Sequence, residues 1–230
     1  MNATLTQRKY RLVAGLATDG AKTYGIAWAA AFIALLVVSA IIRQVVGEYR
    51  DYAVFAVVAI PLVTGILGWS GMYRSYPRAL TNGVTRKEFL AAFAMFGVAL
   101  VLASAALSQL GLRVINLFST FRGAEYDTGF YGVGLPDSMA RAVLWFACGA
   151  LIGAVMHRVP TRRLGLLVSA LILAVAYFRR DWLWTNAVPL IYGDVVDMTE
   201  IAAIDAVFAI PFLLAAWVLA MRAPLPPKRA

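Results

Sequence analysis

Six apolar runs separated by short charged connections dominate this chain, and they leave few folds open to it. They cover approximately Tyr24–Ile42, Tyr52–Met72, Phe89–Leu112, Ser138–Met156, Leu164–Phe178 and Ile201–Met221. A helix rises about 1.5 Å per residue, so roughly 20 residues cross about 30 Å of hydrocarbon. Every run except the fifth is near or above that length. The fifth extends by borrowing Thr161–Arg163 and Arg179–Trp182 at its ends. Helices are the default, because an open strand in lipid leaves its backbone groups unpaired. Composition agrees: 62% of the residues are hydrophobic and 14% charged, against about 25% charged in a soluble domain. The same apolar richness excludes a disordered chain. With 230 residues there is no room for a separate soluble domain. The expected fold is an all-α integral membrane protein with six transmembrane helices. Residues 1–23 form an amphipathic interfacial helix, 24–222 the six-span domain and 223–230 a cytoplasmic tail.

The charges between the runs set an orientation. Arg8, Lys9, Arg11 and Lys22 precede the first run; Arg74, Arg78, Arg86 and Lys87 follow the second; Arg158, Arg162 and Arg163 follow the fourth; Arg222, Lys228 and Arg229 close the chain. The intervening connections hold Glu48 and Asp51, then Glu125, Asp127 and Asp137, then Asp181, Asp194, Asp197 and Glu200. Only Asp19 and Glu88 fall on the basic side. The positive-inside rule then puts both termini in the cytoplasm. The net charge of +9 is read as a topology signal, and no nucleic-acid partner is expected. Val38-Ser39-Ala40 resembles a signal-peptide cleavage site, but hydrophobicity continues through Ile41 and Ile42, so the first run is expected to be a retained span.

Smaller features predict how the elements begin, bend and pack. Over residues 4–22, Leu5, Leu12, Val13 and Leu16 share one helical face and Gln7, Arg8 and Arg11 lie elsewhere. That pattern suits a helix lying in the membrane interface, the alternative being a frayed basic tail. Pro61 and Pro211 fall inside the second and sixth runs, where each removes a backbone donor. Gly149 and Gly153 form a small-xxx-small pair that permits close helix approach. Asp137, after Pro136, reads as an N-cap for the fourth span.

Several familiar sites are missing. Gly15-Leu-Ala-Thr-Asp-Gly20-Ala-Lys22-Thr23 approaches a phosphate-binding loop, but Ala21 separates the second glycine from the lysine and no strand precedes it. Gly129, Gly132 and Gly134 make no dinucleotide fingerprint. His157 is the sole histidine and Cys148 the sole cysteine, so no metal centre is expected and no intrachain disulfide can form. Ser39, Ser104 and Ser169 lie within runs as nucleophiles that a Ser–His dyad would need. Arg141 and Asp205 are ionisable groups about one turn inside the fourth and sixth runs, placed to pair. No acid lies near a midplane, which argues against a proton-coupled carrier and a channel with a charged filter.

The richest local pattern is the connection after the second run. Pro77 opens a short helix, Asn82-Gly83 stops it, and Thr85 with Glu88 makes a capping box for the third span. Arg78-Ala-Leu-Thr-Asn-Gly-Val-Thr-Arg86-Lys-Glu-Phe resembles a segment common in permease subunits of bacterial ABC transporters, above all the ABC-2-type exporters. The resemblance covers about a dozen residues, and the general plan of an interfacial helix, six spans and internal termini is similar. It implies a coupling helix in which Arg78, Thr81, Asn82, Gly83, Val84, Thr85, Arg86, Lys87 and Glu88 dock to a separate ATP-binding cassette subunit. ATP and Mg would then be bound by that partner, with no cofactor on this chain. It also implies a second permease copy, as homodimer or related heterodimer, in a bacterial cytoplasmic membrane. A partly re-entrant outer segment is implied too, matching Trp182, Trp184, Pro189 and Tyr192. The long outer loop 113–140 departs from that plan.

The function expected on this resemblance is ATP-driven export of an amphipathic or hydrophobic substrate (a lipid, peptide or drug) through a permease dimer interface, with membrane lipid as the surrounding partner. The alternatives are a stand-alone membrane sensor or immunity protein that binds a membrane-active peptide, and an intramembrane enzyme acting on lipids. Under the charge argument a reporter fused after Ala230 reads as cytoplasmic; external reporter activity would reverse the topology.

Overall fold

The computed structural model describes residues 11, 13–16, 18, 22, 25–46, 52–121, 134–159, 161–182 and 198–222. Among these, regular structure is helical throughout. Helix α1 is Ile26–Val46, α2 Ala53–Ser70, α3 Tyr76–Thr81, α4 Arg86–Phe121, α5 Leu135–Arg158, α6 Arg162–Trp182 and α7 Met198–Arg222. A π-helical turn, Gly71–Ser75, joins α2 to α3. Four stretches are long and apolar enough to cross a membrane: Ala53–Thr81, Arg86–Phe118, Leu135–Arg158 and Ala202–Arg222. The apolar parts of α1 and α6, Ile26–Ile42 and Arg163–Ala176, are shorter. The protein is therefore an all-helical chain of membrane type.

Helix α4 overruns the third apolar run. Its 36 residues rise about 54 Å, well beyond the roughly 30 Å of hydrocarbon. Nothing between Leu112 and Phe121 breaks a helix: Arg113, Asn116 and Thr120 are polar, but the segment contains neither Gly nor Pro. Much of the expected outer loop 113–140 is thus helix, since α5 already begins at Leu135. The N-cap of α5 is Gly134, not Asp137. Pro136 is tolerated in the first turn, which moves the cap upstream. Asp137 sits inside that turn, where the helix dipole favours its charge.

Helix α5 is the hub. It packs on α2, α4, α6 and α7, and 72% of its apolar window is buried, against 50%, 44% and 22% in the other three spanning stretches. Small residues allow this. A Cβ at Gly149 would fall on the carbonyl oxygen of Gly65. One at Gly153 would lie 2.6 Å from Met72 Cβ and 2.9 Å from the Trp69 carbonyl oxygen. One at Gly68 would lie 2.7 Å from the Phe146 carbonyl oxygen. Helices α2 and α5 thus meet backbone to backbone, as the Gly149/Gly153 pair predicts, and Gly65 and Gly68 supply the matching face.

Around this contact lie three apolar clusters. The first joins Met72, Tyr76, Phe89, Phe93 and Phe146 at one end of the bundle, with Phe93 and Phe146 stacked at 5.1 Å. The second ties α1 to α2 and α4 through Trp28, Phe32, Val57, Ile60 and Ile115. The third gathers Leu144, Cys148, Ala176 and Ala209 from α5, α6 and α7. In the N-terminal segment Val13 and Leu16 are helical and pack on the first cluster, while Arg11, Ala14, Gly15 and Thr18 are exposed. The described part of the apolar face is thus covered by protein; Leu5 and Leu12 lie outside the described residues.

Gly149→Val should force α2 and α5 apart and destabilise the chain by about 2–3 kcal/mol or more. Gly25→Ala, whose Cβ meets nothing within 4 Å, should change stability by at most about 1 kcal/mol. Denaturant titration in detergent checks both, and equal effects would refute the close contact.

Candidate functional site

The connection between α2 and α4 is tightly built. Helix α3 carries Pro77 at its second position and ends in a Schellman motif. The Val84 N–H donates to the Ala79 carbonyl at 3.0 Å and the Gly83 N–H to the Leu80 carbonyl at 3.1 Å. Gly83 takes φ +80°, the left-handed conformation this motif requires. The capping box follows. The Thr85 N–H donates to Glu88 Oε2 at 2.9 Å, and the Glu88 N–H donates to Thr85 Oγ1 at 3.3 Å. Thr85 Oγ1 also donates to Glu88 Oε2 at 2.8 Å. Two adjoining motifs thus fix the path of the chain through the turn.

The short helix is not a separate element, as the sequence suggests, but continues α2 through the π-turn. Pro77 has no N–H, so one carbonyl of the preceding turn loses its donor. In the i→i+4 pattern Pro77 would serve Tyr73; in the i→i+5 pattern it would serve Met72. The chain adopts the wider turn, with the Tyr76 N–H donating to the Gly71 carbonyl. His157, from the end of α5, fills the gap. Its Nε2 lies 3.1 Å from the Met72 carbonyl oxygen and 2.9 Å from that of Tyr73. Both partners are acceptors, so Nε2 carries the hydrogen. The ring stacks on Tyr73 at 5.2 Å. The sole histidine therefore repairs a backbone defect.

The same region ties down α7. A helix leaves its last carbonyls without intrahelical donors. The Tyr76 hydroxyl donates to the Ala220 carbonyl at 2.6 Å, and Arg86 Nη1 donates to that of Met221. Arg86 was expected among the exposed docking residues, but its guanidinium turns inward to the C-terminal turn of α7, where a cation suits the helix dipole. Val84 and Glu88 are also half-buried. Arg78, Thr81, Asn82, Gly83, Thr85 and Lys87 are exposed, with Arg74 close by. These contacts bring the ends of α2, α5 and α7 and the start of α4 together, so Arg74, Arg78, Lys87, Arg158 and Arg222 gather at one end of the bundle.

The remaining expected sites fare unevenly. Arg141 pairs with Asp137, one turn back on α5, at 2.8 Å, in place of the expected partner Asp205. The i,i+4 spacing makes that the nearer carboxylate. Asp205 is buried in α7, 3% exposed. Among the described residues no serine bonds His157: Ser104 bonds Thr64 at 2.7 Å, Ser39 donates to the Leu35 carbonyl at 2.8 Å, and Ser169 donates to that of Gly165 at 2.7 Å. No group of three metal-ligating side chains occurs among the described residues. Trp184, Pro189 and Tyr192 lie outside the described residues; Trp182 ends α6, and its side chain lies outside them too. The Thr64–Ser104 pair sits on a largely apolar cavity of about 370 Å³ between α1, α2 and α4, which the sequence did not announce. The chain matches no protein-family model, no curated protein and no solved structure.

If His157 replaces the donor that Pro77 lacks, His157→Ala should cost about 1–3 kcal/mol of stability. In a Pro77→Ala background the restored N–H should reduce that cost by about 1 kcal/mol. A double-mutant cycle by denaturant titration measures the coupling, and additive losses would refute it.

Proposed function

We propose that this chain is the permease subunit of an ATP-driven exporter of the ABC-2 type, with the turn Arg78–Lys87 docking to a separate ATP-binding subunit. The observation that carries the reading is the build of that turn. It presents an exposed polar tip, braced by adjoining Schellman and capping-box motifs, and its flanks are bonded to α5 and α7 through His157, Tyr76 and Arg86. A connection that only set topology would need none of these braces.

On this reading, ATP binding moves the two nucleotide subunits and so displaces the tip. The displacement reaches α2 along the continuous backbone, α5 through His157 and α7 through the two carbonyl bonds. Three helices are driven from one point. The chain spans six times. Helices α1 and α6 each have 21 residues, a rise of about 31 Å that suffices for one crossing. The clustered arginines and lysines mark the cytoplasmic end. Two permease copies, identical or related, enclose the pathway in a bacterial cytoplasmic membrane. The substrate is amphipathic or hydrophobic, a lipid, peptide or drug, in keeping with helices rich in aliphatic and aromatic side chains.

Arg78→Glu with Lys87→Glu reverses charge at two exposed positions that make no brace. Wild type extracted in gentle detergent from its own membrane should co-purify with a soluble subunit containing a phosphate-binding loop. The double variant should insert normally and lose at least about tenfold of that subunit. Undiminished capture by the variant, or isolation of the wild type alone, would overturn the docking assignment.

A further inference from the structure

The cavity between α1, α2 and α4 has a shape, depth and charge that point to one kind of occupant. Its volume of about 370 Å³ falls in the range of small-molecule sites, roughly 300–1,000 Å³. Its walls are almost wholly apolar, with Ile60 and Leu67 from α2, Phe96, Ala103 and Leu107 from α4, and Trp28 from α1. The polar groups that face it are already engaged. Thr64 Oγ1 donates to the Ile60 carbonyl at 3.1 Å and shares a hydrogen bond with Ser104 at 2.7 Å. Trp28 Nε1 donates to the Ala56 carbonyl at 2.9 Å. A ligand inside would find no free hydrogen-bond donor among these side chains, which favours a hydrocarbon occupant.

Along α4 the walls run from Phe96 to Leu107, a rise of about 16 Å. That is close to the depth of one leaflet, half of a roughly 30 Å core. Ala99, Ala103 and Leu107 are exposed, so the cavity is a groove open at the side to the bilayer. One end is marked by Val13 and Gly25. Val13 also packs on the cluster of Met72, Tyr76 and Phe89, which puts this end at the basic end of the bundle. Lys22 is exposed three residues before Gly25, within about one helical turn of it. The groove is therefore apolar along its length, with an exposed lysine within a turn of its mouth. We propose that it binds one anionic phospholipid, with an acyl chain lying along α4 and the phosphate held near Lys22 at the basic end of the bundle.

This inference rests on the chain being a membrane protein but not on its docking an ATPase, and the test separates them. Membrane fractionation comes first; only the pelleted, detergent-extracted chain is taken forward. Native mass spectrometry then follows the delipidated full chain titrated with dioleoyl phosphatidylglycerol or dioleoyl phosphatidylcholine. One phosphatidylglycerol per chain should bind at least about tenfold tighter than phosphatidylcholine. Ala103→Trp should fill the groove and abolish that binding. Lys22→Glu should weaken it several-fold and erase the preference for the anionic headgroup. Gly25→Leu, whose Cβ meets open space, plugs the mouth without a packing cost and should act like Ala103→Trp. Thermal unfolding confirms that each variant is folded. Unchanged phosphatidylglycerol binding by both plugged variants would overturn the proposal, as would equal retention of the two lipids by wild type. A lipid-free dimer that Ala103→Trp dissociates would also overturn it, by showing the groove to be an interface between two copies.

Discussion

The backbone contact between α2 and α5 is the constraint on which the rest of the bundle depends. In lipid, helices gain nothing by hiding apolar surface from one another, because the tails outside are as apolar as the partner. What holds them is close packing, and closeness is limited by the largest atom between the axes. Gly65, Gly68, Gly149 and Gly153 remove that atom at successive turns. Once the two helices touch, the end of α5 is fixed beside the end of α2. His157 then stands within 3.1 Å of the Met72 and Tyr73 carbonyls, where the N–H that Pro77 lacks is missing. The glycine seam therefore sets the geometry of the polar turn at the basic end.

That turn is a case of one defect organising its surroundings. Pro77 starts α3 and at the same time deprives α2 of a hydrogen bond. The chain answers with a wider turn and a borrowed imidazole. Tyr76 and Arg86 extend the same device to α7, whose terminal carbonyls would otherwise have only solvent or headgroups. Side chains from the turn thus complete the hydrogen bonding of α7, and one from α5 does so for the end of α2. An exposed tip on such a base can carry force, which is why the turn is read as a docking element.

The groove and the turn use opposite chemistry at neighbouring levels of the bundle. Its polar atoms satisfied internally, the groove offers only apolar wall, with the exposed Lys22 within a turn of its mouth. The turn keeps its polar atoms outward at Arg78, Thr81, Asn82 and Lys87. A lipid held beside α4 would touch the helix that begins at Arg86, so the proposed occupancy of the groove and the proposed docking at the tip would act on the same helix.

Local motifs were legible in the sequence because their partners are a few residues apart. The capping box of Thr85 and Glu88, the stop at Asn82-Gly83 and the small-xxx-small pair at Gly149 and Gly153 all follow from short-range spacing, and the structure has each of them. So do the apolar runs, since length and hydropathy alone demand helices. What the sequence left open depends on groups brought together from distant positions. His157 lies more than 80 residues from the carbonyls it serves, and no spacing rule connects them. Arg86 is as basic as Arg78 and Lys87, and only the approach of α7 makes it a brace and not a surface charge. On sequence Arg141 was placed to pair with Asp205, and the helix geometry gave it Asp137. The groove is made by three helices whose walls are ordinary alanines, leucines and aromatics, so only their tertiary placement creates it. The sequence determined which segments are helices and how the turn between α3 and α4 is capped, because those are balances of local hydrogen bonds and hydropathy. Tertiary structure decided which polar groups meet and where space is left, because both depend on how closely helix backbones approach.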